Sequence, residues 1–201
     1  MKITLAERQR LTGGFTLIEM IGVLAVIAIL AALLIPKVTS AISDARINST
    51  VGSYQTVQTA AAGHYAKYGA FNVTNNSTIG NGSVYTAIPL TNFDTVLIAE
   101  GFLDQPFGAK VGTASTLQVI AGGGCNGAHY LLNGKTDGTS GNAYTVEAVL
   151  TGVSQQDAYD VASRIDSTLM TNSVALTNFT GARCVYTTAA NGTMYLYVNG
   201  R

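Results

Sequence analysis

FTLIEMIGVLAVIAILAALLI, residues 15–35, decides how the rest of this chain is read. The stretch holds one ionisable group, Glu19. As a helix it spans ~31 Å, about the thickness of one bilayer hydrocarbon core. Residues 1–14 ahead of it are polar, with Lys2, Arg8 and Arg10 set against Glu7. Basic residues before the apolar run put the N-terminus in the cytoplasm, and everything after Lys37 is then exported. An ordinary secretory signal has a shorter apolar core followed by a small-residue cleavage site. Here the small pair Gly13-Gly14 comes first. Cleavage at that point strips the basic leader and leaves the apolar helix on the mature chain.

Glu19 is the anomaly. A carboxylate within a membrane span costs about 2.5–3.5 kcal/mol on insertion scales, and such groups are usually paired or functional. One reading is a side chain that snorkels to the interface. The other needs a cation at the same depth, and cleavage after Gly14 creates one, the α-amino group of Phe15. Within a single helix Phe15 and Glu19 share a face. Glu19 of one subunit could equally neutralise the Phe15 amine of a neighbour, which would set axial register during assembly.

Gly14-Phe15-Thr16-Leu17-Ile18-Glu19 resembles the class III signal of type IV prepilins and type II secretion pseudopilins. The resemblance implies that a prepilin peptidase cuts between Gly14 and Phe15 and methylates the new Phe15 amine, and that Glu19 is the acidic position used in assembly. Pro36 falls where these pilins carry a helix-kinking proline. The leader length, with phenylalanine first in the mature chain, is closest to the type IVa branch. The fold implied is α+β and pilin-like: a long N-terminal helix, transmembrane in its first half and amphipathic in its second, packed on an antiparallel β-sheet.

Composition agrees with a chain only partly in water. Apolar residues make up 47% and charged residues 11%, against about 25% charged in typical soluble proteins. The formal net charge is zero, and nothing in that balance points to bulk electrostatic capture of nucleic acid. Cys125 and Cys184 lie far apart, outside any zinc-type spacing. In an exported domain they read as a disulfide worth ~4 kcal/mol in the chain-entropy model. In a cytoplasmic one they read as two buried thiols. In type IV pilins a C-terminal disulfide delimits an exposed region, and the resemblance implies that role for residues 125–184.

Beyond the span, Ile47, Val51, Tyr54, Gln58, Ala61, Tyr65 and Tyr68 follow alternating spacings of four and three, one stripe of an amphipathic helix. The expected organisation is a leader at 1–14, a transmembrane or filament-core helix at 15–36, its amphipathic continuation at 37–68 and a head at 69–201. Residues 69–89 have loop composition, and 92–100 read as a short helix. Strands are expected at 116–120, 129–132, 144–150, 183–188 and 193–198, with a hairpin turn at Asn191-Gly192. Along 144–150, Tyr144, Val146, Ala148 and Leu150 should line one face. Ser154 to Asp157 reads as a loose capping box opening a helix that runs to about Met170.

An enzyme is not expected. His64 and His129 are isolated, no Ser-nucleophile or metal-ligand spacing occurs, and Gly122-Gly123-Gly124 lacks the Lys-Ser/Thr of a phosphate loop. Carboxylates near Asp137 are too few for a calcium loop. No cofactor or metal is expected. The expected function is a structural subunit, a major pilin polymerising into a type IV pilus that supports adhesion, motility or DNA uptake. A pseudopilin or minor pilin of a type II secretion-like system is the alternative. Expected partners are further copies of the chain in a helical homopolymer, prepilin peptidase, the inner-membrane assembly machinery, the membrane, and DNA or host surfaces touched by the fibre. The precursor would sit in the inner membrane with its head in the periplasm, and the assembled form would be extracellular.

Overall fold

The computed structural model describes residues 13–74, 83–84, 90–121, 124–125, 128–129, 131–132, 135–136, 144–166, 179–180, 183–186 and 192–200. Two compact units divide the chain, Met1–Ser43 and Asp44–Arg201.

Helix α1, Leu17–Tyr68, runs through Pro36 as one continuous helix. Proline has no N–H, so the Ala32 carbonyl loses its helical donor there. Nearby hydroxyls fold back on the helix, Thr39 Oγ1 donating to Ile35 O at 3.0 Å and Ser40 Oγ to Lys37 O at 3.0 Å. The helix ends at Gly69, whose φ of 72° is left-handed and whose N–H donates to Tyr65 O at 2.7 Å. Glycine takes that conformation without the Cβ penalty and satisfies a terminal carbonyl.

In the first unit the large apolar side chains from Phe15 to Ile42 are 46–85% exposed. Leaving so many in water would cost on the order of tens of kcal/mol at about 1.5–3 kcal/mol each. The helix is long and apolar enough to cross a membrane.

The second unit is α+β. Its main sheet, among the described residues, has the order β3-β8-β11-β10-β9, every pair antiparallel. These strands are β3 (Ala114–Ala121), β8 (Tyr144–Val153), β9 (Phe179–Thr180), β10 (Cys184–Tyr186) and β11 (Gly192–Gly200). The others form two-residue ladders: β1 (Val73–Thr74) with β2 (Ser83–Val84), β4 (Gly124–Cys125) with β5 (Ala128–His129), and β6 (Leu131–Leu132) with β7 (Lys135–Thr136). Residues 129–132 are therefore not one strand of the main sheet. Asn126-Gly127 and Asn133-Gly134 separate the paired residues, and such dipeptides favour local hairpins over a long strand. The 69–89 stretch, expected to be loop, likewise contains the β1–β2 ladder. Gly192 belongs to β11, opposite Val153, and Tyr186 pairs with Met194. The connection between the paired Tyr186 and Met194 includes Asn191-Gly192, and its residues 187–191 lie outside the described residues.

The second half of α1 buries Ile47, Thr50, Tyr54, Val57, Ala60, Ala61 and His64. The expected stripe is thus rotated, with Val51, Gln58, Tyr65 and Tyr68 half-buried at its edge. Hydrogen bonds tie this face to its surroundings: Tyr54 Oη donates to Tyr197 O at 2.5 Å, and Lys110 N to Thr50 Oγ1 at 3.0 Å. Helix α2 (Phe93–Ala99) adds Phe93, Val96 and Leu97 to the same core. Helix α3 (Gln155–Ile165) opens on the expected cap, Ser154 accepting from Asp157 N–H, but ends before Asp166. Its Ala158, Val161 and Ala162 are buried; Leu169 and Met170 lie outside the described residues. Central β8 is buried on both faces from Thr145 to Leu150, so the face carrying Thr145, Glu147 and Val149 is covered as well as the one carrying Val146, Ala148 and Leu150. Even Glu147 is fully buried, and it accepts a hydrogen bond from Gln118 Nε2.

Candidate functional site

The site singled out by the sequence is the start of α1. Residues 13–16 are non-helical and Leu17 is the first helical residue. Thr16 Oγ1 accepts from Glu19 N–H at 3.4 Å. In return Glu19 Oε2 accepts from Thr16 N–H at 2.9 Å and from Thr16 Oγ1–H at 2.8 Å. This is a reciprocal capping box, which satisfies amide groups that otherwise lack partners at a helix start. Its signal in the sequence is Thr-x-x-Glu at 16–19 immediately before the apolar run. Phe15 lies outside the helix, one residue before the Thr16 cap.

Gly14 and Phe15 are exposed, Phe15 at 85%. A Cβ added at Gly13 or Gly14 would meet nothing within 4 Å. Neither glycine is among those with positive φ. The fold of this chain thus places no steric demand for glycine at position 14.

A family model for the prokaryotic N-terminal methylation motif matches residues 10–35. The chain carries the signature of type IV pilins and pseudopilins. That stretch covers the Gly14–Phe15 junction, the capping box and the apolar run. Searches of curated proteins and of solved structures returned no match.

Of the remaining singled-out residues, Cys184 and His64 belong to the second compact unit. Cys184 is buried on β10, and burial pushes its thiol far above the ordinary range. The side chain of Cys125 lies outside the described residues, so the pairing of the two is not seen. Pro36 sits inside α1. His64 is fully buried, and its Nδ1 lies 2.7 Å from Glu100 Oε2, which the sequence did not foreshadow. The side chains of His129 and Asp137 lie outside the described residues. Among the described residues no group of three or more His, Cys, Asp or Glu could hold a metal ion. Tyr54 is buried, and desolvation raises its phenol well above the ordinary range.

Proposed function

We propose that this chain is a major pilin, a subunit that is cut between Gly14 and Phe15, N-methylated on Phe15 and polymerised into a type IV pilus. The reading rests chiefly on one observation: the methylation motif at residues 10–35 coincides with an exposed Gly14–Phe15 junction and a capped, apolar, unburied helix. An accessible, non-helical peptide bond is what a peptidase needs. A helix whose apolar side chains are left exposed among the described residues suits first a bilayer and then a bundle of identical helices.

In this reading Glu19 is the assembly residue. Thr16 donates twice to Oε2, while Oε1 has no hydrogen bond among the described residues. Cleavage frees the Phe15 amine, and that cation, in the same subunit or a neighbour, is the natural partner for Oε1. Pro36 supplies a local weak point at which α1 bends as subunits pack. The head lies outside the inner membrane, where Cys125 and Cys184 form a disulfide delimiting residues 125–184. Adhesion, motility or DNA uptake is then work done by the fibre.

Intact-mass analysis of sheared surface filaments tests the proposal. The expected main species is residues 15–201 with one added methyl group and two hydrogens fewer for the disulfide. A processed form that stays in the envelope, absent from filaments, points instead to a pseudopilin or minor pilin. A chain that keeps its leader in the assembled fibre refutes the maturation scheme.

A further inference from the structure

Arg164, in the last turn of α3, turns its guanidinium onto α1. Nη2 donates to Asp44 Oδ1 at 2.7 Å, and Nη1 donates to the Asp44 carbonyl oxygen at 3.5 Å and to Asn48 Oδ1. Asp44 and Asn48 are four residues apart, so the fork spans one helical turn. A planar guanidinium can hold two such partners at once, whereas an ammonium is a point charge.

The fork sits where α1 changes character. Up to Ile42 its large apolar side chains are at least 46% exposed, whereas Ile47 is 1% and Thr50 0% exposed. Asp44 is also the first residue of the second compact unit. Upstream, Pro36 has already removed one backbone hydrogen bond, and between it and Asp44 no side chain is buried. Fraying that begins in this stretch would travel along the helix until tertiary contacts stop it.

We propose that Arg164 is a helix clip: by bridging Asp44 and Asn48 it sets the residue at which unwinding of α1 is halted before it reaches the core. The clip would let the segment around Pro36 bend or open while the turn carrying Ile47 and Thr50 stays seated. Arg164 is 32% and Asp44 60% exposed, so the effect is local, on the scale of a surface ion-pair network rather than of the whole fold.

Hydrogen exchange followed by mass spectrometry, on the full chain in detergent micelles, tests this. In Arg164→Met the amides of residues 47–51 should exchange about two- to fivefold faster, with those of 54–64 unchanged. Asn48→Ala should reproduce part of the effect, and Arg164→Lys should accelerate exchange less than Arg164→Met. Unchanged exchange at 47–51 in Arg164→Met overturns the proposal. So does a uniform acceleration through 54–64 and the sheet, since Arg164 would then support the core as a whole. The readout depends on neither cleavage nor polymerisation, so it stands or falls apart from the pilin reading.

Discussion

Replacing His64 with leucine should destabilise the head far more than its position on a helix suggests. The imidazole is fully buried and the Glu100 side chain is 2% exposed, with Nδ1 and Oε2 2.7 Å apart. Phe71, Phe93 and Phe102 surround the ring, their centroids 5.2–6.4 Å away. In such surroundings a carboxylate that loses one of its partners keeps its desolvation penalty with less to offset it. Breaking a buried pair from one side costs about 3–5 kcal/mol. The lower end is expected here, because Lys67 also acts on Glu100. About 3 kcal/mol corresponds to a Tm roughly 6–12 °C lower for a unit of this size. The double variant His64→Leu/Glu100→Leu should return to within about 1 kcal/mol of the parent. It removes the carboxylate that has lost the His64 contact, and it also removes His64 Nε2, a buried atom with no hydrogen-bond partner among the described residues. The assay is urea or thermal unfolding at neutral pH, followed by near-UV circular dichroism on the full chain in micelles. A single variant within about 1 kcal/mol of the parent, or a double variant as unstable as the single, would refute the reasoning.

Other substitutions bear on the processing site and on the sheet. Gly14→Ala should leave unfolding unchanged, because nothing lies within 4 Å of the added methyl, yet block cleavage on immunoblots, since the requirement then resides in the peptidase; normal processing would remove it. Glu19→Ala should still be cleaved but give few or no sheared filaments, and normal fibre yield would remove the pairing argument. Thr16→Val should loosen the Glu19 carboxylate by removing one donor to Oε2, and Thr16→Ser should restore it; equal fibre yields from both variants would show that the hydroxyl is idle. Gly112→Ala should lower stability by about 2 kcal/mol or more in urea titrations. Its φ is 84° and its Cβ would lie 2.6 Å from Thr151 O, so a neutral result would mean that the β3–β8 margin relaxes freely.

Much of this was legible in the chain. The apolar run, the two small residues before it and the buried-face spacing beyond Ser43 already call for an exposed span continuing into a packed helix. The Ser154 cap, α2 and the long strands β3, β8 and β11 were also readable, because each rests on local pattern. The start of α1 was readable only to within two residues, since periodicity does not register that Thr16 and Glu19 close a box and leave Phe15 outside.

What tertiary structure decided are the long-range pairings. Nothing near His64 announces Glu100, 36 residues on, nor does Arg164 announce Asp44 at a separation of 120. The rotation of the α1 stripe toward Thr50, Val57 and His64, and the burial of both faces of β8, depend on which surfaces the rest of the head presents. Local pattern fixes which residues can form a helix or a strand, because backbone sterics and periodicity act over a few residues. Which polar groups are buried together is settled only when elements distant in sequence close over them, since a buried carboxylate or imidazole is tolerable only with its partner in place.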